Sequence, residues 1–433
     1  MAALGIALLA VWFNGSELHA LSKEIGWQRK PSLAAVSLNA SATPAPSAVS
    51  GTRSADDGGS QAAGEHSNTT AMAEGNSSIN TSISTSITTA DDVPPGSAGI
   101  TTDQLPMRST DELVPYKGPI EHIFFHPLIL YPQLAFDGDQ MAQGFDDWFV
   151  TVPEFKRIID ELYKRDYILV DIRTLYREEE TADGKAMEIT SLQLPAGKKP
   201  LVLSVDDLNY YDYMIKNGTA SKLVLDQQGN IATQSVTPEG QTIVERDNEI
   251  VPIVDAFVEE HPDFSFQGAK GVLAVTGYEG VLGYRTQKLE DPEYPMEKEA
   301  AVRVVERLKE TGWSFASHSW GHPNAETAGL QRMLQDTERW AREVEPIVGE
   351  TPVFIYPYGA RLKHTDPKFK LLTDAGFKLF CGVGPAPYLR SDGAVAEMDR
   401  RHIDGIALRT QQARLAPLFD AEAIFDHNRP PAN

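Results

Sequence analysis

The chain has one cysteine, Cys381, in 433 residues. That excludes disulfides within the chain and zinc sites built from thiolates, so any metal must be held by histidines and carboxylates. Basic residues are also scarce. Lys and Arg number 39 against 61 Asp and Glu, a formal net charge of −22. Nucleic-acid binders need clustered cations to contact phosphates, so this balance argues against that class. Long apolar runs are missing too. The one candidate, "MAALGIALLAVWF" at residues 1–13, is shorter than the roughly 20 residues that cross a bilayer. It reads as an export signal or membrane anchor within residues 1–30, although no basic residue precedes it.

Residues 31–110 contain few aromatics and no sustained period. Their core, from Ala34 to Asp103, is built from Ser, Thr, Ala, Gly and Asn, as in "HSNTTAMAEGNSSINTSISTSITTADD". Such a composition cannot bury enough apolar surface to offset chain entropy and is expected to be a disordered linker. An apolar start, a Ser/Thr-rich stalk and a folded domain together suggest a protein tethered to the outer face of the membrane, or secreted. The sequence shows no internal repeats.

From 111 to 428 apolar strands alternate with amphipathic helices. "IEHIFFHPLILY", "YILVDI", "PLVLSVDD", "AKGVLAVTG", "WSFASH", "PVFIYPYG", "KLFCGVG" and "HIDGIAL" read as strands. "TVPEFKRIIDELYKRDY" reads as a helix opened by a capping box of Thr151 and Glu154. A region near 215–248 reads as an inserted hairpin. This rhythm indicates an α/β fold, a distorted or incomplete (β/α) barrel, whose reactive groups would gather at strand C-terminal ends.

Chemistry-bearing residues fall at those ends. Asp206 and Asp207 close one strand, His318 another, with His322 four residues on in "HSWGH", and "YPYG" closes a third. Each alone has a plain structural reading: a polar turn, a helix cap, a solvated strand end. Together, two imidazoles and one carboxylate make a His2Asp donor set for a hydrolytic metal, most simply zinc. The second carboxylate of the Asp pair is then left to take a proton from water. Several other residues attract only structural readings. "FDDWF" at 145–149 is expected to be a loop, Cys381 to be buried, and His364 and His427 to lie in exposed loops. Tyr210, Tyr211 and Tyr213 either pack or stack on sugar rings.

"SVDD", "HSWGH" and "YPYG", in that order, resemble the three main motifs of the NodB-homology polysaccharide deacetylases, carbohydrate esterase family 4. The resemblance spans roughly residues 119–410. It implies a metal-dependent hydrolase that removes N-acetyl groups from an N-acetylglucosamine-containing polysaccharide at the cell surface or wall, with no nucleic acid and no obligate protein partner. It also assigns Asp206 as base, Asp207, His318 and His322 as ligands of a divalent metal, and the Tyr358 N–H as oxyanion donor. "IFFHPLI" resembles the first strand of the surface poly-N-acetylglucosamine deacetylase branch, which makes His126 the general acid, with Asp171 as a candidate orienting partner.

The chain departs from the family pattern in three places. Leu208 stands where the first motif has glycine. Ile355 and Tyr356 occupy the stretch where the third motif carries an arginine; Arg285 and Arg361 are candidate substitutes whose plainer reading is surface ion pairing. The late histidine, His402, is expected to begin a strand and so to lie at the wrong barrel end. The rival readings are an O-acetyl esterase or other amidase on the same site, and a catalytically decayed wall-binding module.

Overall fold

A computed structural model describes residues 112–181, 184–426 and 428–429. The expected signal or anchor (1–30), the expected linker (31–110) and His427 lie outside the described residues. Among those described, no helix is long and apolar enough to cross a membrane.

Seven strands form the frame: β1 (Glu121–Phe125), β2 (Lys199–Asp206), β3 (Gly271–Val275), β4 (Trp313–Ser317), β5 (Val353–Ile355), β6 (Leu379–Val383) and β7 (Val395–His402). Each pairs in parallel with the next, and β7 pairs back onto β1 through Arg401↔Ile123 and His402↔Phe124. The sheet is therefore a closed (β/α) barrel. Its distortion lies at β2. The short strand Tyr167–Leu169 takes the edge of β2 at Lys199–Leu201, and β3 takes it over at Ser204–Asp206.

Two-residue alternation decides what each strand buries on which side. Val202, Ala274, Ala316, Ile355, Cys381 and Met398 join one apolar cluster, while Leu201, Leu203, Val205, Leu273 and Phe315 join another with the surrounding helices. The first set fills the barrel, and its small members suit the narrow interior of a seven-strand closure. Cys381 is wholly buried there.

The helices of six or more residues among those described are α1 (Ala142–Trp148), α2 (Val152–Lys164), α3 (Ile250–Glu260), α4 (Tyr294–Glu310), α5 (Leu330–Glu343), α6 (Pro367–Asp374) and α7 (Gly405–Thr410). On α2 the expected capping box is present, with Glu154 Oε2 accepting from Thr151 N at 2.8 Å. Phe155, Ile158, Ile159 and Leu162 are buried on one face. The region near 215–248 holds three antiparallel strands, Lys222–Leu225, Ile231–Val236 and Thr242–Glu245.

Two local expectations need correction. "FDDWF" is not a loop: Phe145 to Trp148 belong to α1. "HIDGIAL" is not the last strand: Gly405–Thr410 is helix α7, which Asp404 caps by accepting from Ala407 N at 2.7 Å. The last strand ends at His402 instead. Its charged residues hid it, because Arg400 and Arg401 are buried in ion pairs rather than exposed. The hairpin Tyr176–Thr181/Gly184–Ile189 was hidden for a different reason, since its first strand is exposed and rich in glutamate.

Glu154 and Arg429 are both completely buried and bonded at 2.7 Å, and Arg429 also reaches Asp146 Oδ1 at 3.0 Å. Replacing Arg429 by Met leaves the buried Glu154 without a cation, while Asp146 keeps Arg409 at 2.7 Å. Arg429→Met is expected to cost about 3–5 kcal/mol in urea unfolding; an unchanged midpoint would show that the network carries no stability.

Candidate active site

The C-terminal ends of β1, β2, β4, β5 and β7 bring together His126, Asp206, Asp207, His318, His322, Tyr358, Arg400, His402 and Asp404 around one pocket, walled by Phe124, Trp148 and Val383. All six residues expected from the sequence line it. The backbone there is unusual. Asp207, Ser319, His322 and Tyr358 all have φ between 51° and 63°. Left-handed conformation is costly for residues with a Cβ and persists where the surrounding structure enforces it, as at functional sites. The two histidines thus sit on a sharp irregular turn, not on a helical turn.

His318 and His322 are four residues apart, and their Nε2 atoms lie 3.2 Å apart. Two tetrahedral ligands at zinc–nitrogen bond length would be about 3.3 Å apart. Asp207 Oδ2 is 3.8 Å from His322 Nε2, and one donor atom from each of the three residues fits within a 4.8 Å span. His318 Nδ1 donates to the Ile355 carbonyl at 2.8 Å, which leaves its Nε2 lone pair facing the site. Burial pushes both imidazoles down to about 4, so they are neutral donors at neutral pH. The Tyr211 hydroxyl donates to Asp207 Oδ1 at 2.7 Å and bonds Thr276 Oγ1 at 2.8 Å, turning the other carboxylate oxygen toward the histidines. The donor set fits a divalent cation such as zinc. Tyr210 and Tyr211 are buried, so here the packing reading prevails over sugar stacking.

Asp206 faces the same pocket but is held differently. Burial alone would raise its pKa, yet the Arg400 guanidinium, bonded to Oδ1 at 2.7 Å, and the nearby His318 bring it down to about 2. Arg400 is 1% exposed, bonds Ser204 Oγ at 3.3 Å, and lies 4.1 Å from the centroid of the Phe124 ring. This residue supplies what the third motif lacks. The candidates from the sequence are engaged elsewhere: Arg285 pairs with Asp212 at 2.7 Å, and Arg361 pairs with Asp399. The available signal was "RRH": two-residue alternation puts Arg400 on the same strand face as His402.

His402 is the main correction. It ends β7 and lines the pocket, so it lies at the reactive end of the barrel. Burial pushes its pKa down, but the Asp404 carboxylate, 3.1 Å from Nδ1, more than offsets this and the net shift is upward. Its Nε2 is engaged by Gln411, with Oε1 at 3.3 Å. His126 donates from Nδ1 to the Trp148 carbonyl at 3.0 Å, and its Nε2 stands 4.0 Å from Asp207 Oδ2. Asp171 does not orient it; that carboxylate pairs with Arg173 at 2.6 Å and caps a short 3-10 turn. His364 is half-buried, stacked on Phe369 and 3.2 Å from Asp392, rather than free in a loop.

With this geometry established, comparison with known proteins adds the family. Residues 290–380, which carry His318, His322 and Tyr358, match the family model described as "Polysaccharide deacetylase". By this match and its motif order, the chain is similar to the NodB-type polysaccharide deacetylases, a family of hydrolases. Among solved structures it is similar to the Streptococcus pyogenes deacetylase PplD in complex with acetate. The identity is 14% and the TM-score 0.37, over 67% of this chain and 94% of that one. It is also similar to the BpsB deacetylase domain from Bordetella bronchiseptica, at 13% identity and TM-score 0.29, over 48% of this chain and 73% of that one. No curated protein matches.

Behind His126, the wholly buried Glu249 caps α3 and accepts from Ile250 N at 2.7 Å and Leu128 N at 3.3 Å. Burial raises its pKa to about 8 from the ordinary 4.5, although those amides pull the other way. The native state therefore binds more protons than the unfolded chain between those values, and stability falls as pH rises through the interval. Glu249→Gln is expected to flatten that slope in unfolding titrations across the pH range; a slope identical to the parent's would assign it to another group.

Proposed function

We propose that the chain is a metal-dependent N-deacetylase acting on an N-acetylglucosamine-containing polysaccharide of the cell surface or wall. The observation that carries the reading is the cluster of Asp207, His318 and His322, with a second, arginine-held carboxylate beside it. A divalent cation held by those three side chains, zinc being the expected one, would supply Lewis acidity to the acetamide carbonyl and lower the pKa of a water molecule.

The chain's own residues do the rest. Asp206, kept anionic by Arg400, takes a proton from water as its oxygen adds to the carbonyl carbon. The Tyr358 N–H faces the oxygen on which negative charge develops. His126, with Nδ1 fixed by the Trp148 carbonyl, presents Nε2 as the proton donor to the departing amine, and the C–N bond breaks. The products are acetate and a glucosamine unit. The pocket offers about 60 Å3 of space. That suits an acetamido group and leaves the sugar ring at the rim. The apolar N-terminal stretch and the Ser/Thr-rich segment after it support a location outside the cell, on the membrane surface or secreted.

His402 carries a second reading of the proton donor, because Asp404 favours its charged form and it lines the same pocket. Its engaged Nε2 favours His126.

The test is acetate release from N-acetylglucosamine oligosaccharides and from O-acetylated oligosaccharides, with and without chelator, alongside metal analysis of the full chain. The expected outcome is N-acetyl release that a chelator abolishes. Asp206→Asn should lower kcat by about 10²–10⁴ while metal stays bound. His126→Gln should cost more in kcat than His402→Gln. Release indifferent to chelator and to Asp206→Asn overturns the reading, and preference for O-acetyl substrates replaces the amidase with an esterase.

A further inference from the structure

His318 is fixed by its own bond to Ile355. His322 depends on the turn that connects the two, and that turn is held from outside. Asp336 on α5 is 1% exposed. Its Oδ1 accepts from Trp320 N at 2.8 Å and its Oδ2 from Gly321 N at 2.7 Å, so one carboxylate satisfies two consecutive amides between the histidines. On the other side, the Trp320 carbonyl accepts from Gly277 N at 2.8 Å and Tyr278 N at 3.1 Å. Ser319 and His322, flanking the clamped residues, both have left-handed φ. Without the bonds of Trp320 and Gly321 that backbone would relax. The next turns of α5 continue the contact: Arg339 stacks 3.3 Å from the Trp320 ring centroid, and Glu343 accepts from its indole N–H at 2.8 Å. One helix face is given over to this turn.

We propose that Asp336 is a positioning residue for the metal site: its carboxylate sets the shape of the Ser319–Gly321 turn and thereby the place of the His322 imidazole. This rests on the metal-dependent reading above. Groups that orient ligands from outside typically matter about 10–100-fold in metal affinity. An amide in place of the carboxylate keeps the size but removes the charge and offers only one acceptor oxygen to two N–H groups.

The experiment uses zinc alone as the probe, with the full chain, and reads its Kd by competition with a chromophoric chelator and the Tm of the metal-free protein. Asp336→Asn is expected to raise the zinc Kd by about 10–100-fold. Asp255→Asn is the control. Asp255 is comparably buried, holds Lys270 and the Trp313 indole away from the pocket, and its loss should lower Tm with the zinc Kd unchanged. Gly321→Ala provides a second variant should Asp336→Asn fail to fold. A Cβ at Gly321 would lie 2.8 Å from Arg332 Nη2 and 3.2 Å from Asp336 Oδ2, displacing the same carboxylate. It too should raise the Kd. Parent-like zinc affinity in folded Asp336→Asn, or in Gly321→Ala if that variant alone folds, overturns the assignment while leaving the metal reading standing. No zinc binding by the parent overturns both.

Discussion

Two adjacent aspartates at the end of one strand repel each other, and the molecule is organised around that difficulty. Burial would drive Asp206 toward its neutral form, in which it could not accept a proton. Arg400, buried and stacked on Phe124, counters this by pairing with Asp206 from β7, two strands away. Asp207 is served separately by the Tyr211 hydroxyl on Oδ1, with the His322 imidazole 3.8 Å from Oδ2. The neighbours are thus split by their partners, one held anionic by a guanidinium and the other turned toward the histidines, the division of labour that the proposed function uses. Without Arg400, the burial that raises the pKa of Asp206 would lose its main opponent.

What the sequence made legible was local. "SVDD", "HSWGH" and "YPYG" each sit within a few residues, and each marks a strand end, so order and spacing alone brought Asp206, Asp207, His318, His322 and Tyr358 to one rim. The capping box at Thr151 was legible for the same reason. Arg400 and His402 were not, because their role depends on the register of β7 against β6 and β1. A strand that carries buried charges breaks the apolar alternation by which strands are recognised. The apolar "HIDGIAL" then looked like the better strand, though Asp404 makes it a helix start.

The same reasoning explains the barrel's irregularity. "YILVDI" was expected as an ordinary strand, and it is one, but only Tyr167–Leu169 pair with β2 before β3 claims that edge. The sequence shows that each segment is apolar, not that two of them compete for one partner. The closure at seven strands is a property of the whole sheet.

The pairing of Asp206 with Arg400 joins positions 194 residues apart, and the Arg429 network ties the far end of the described chain to α1 and α2. A polypeptide emerging from the ribosome therefore lacks the Asp206–Arg400 pair for most of its synthesis. The guanidinium that holds Asp206 anionic arrives only with the last barrel strand. A chain ended before it would bury that carboxylate without its partner.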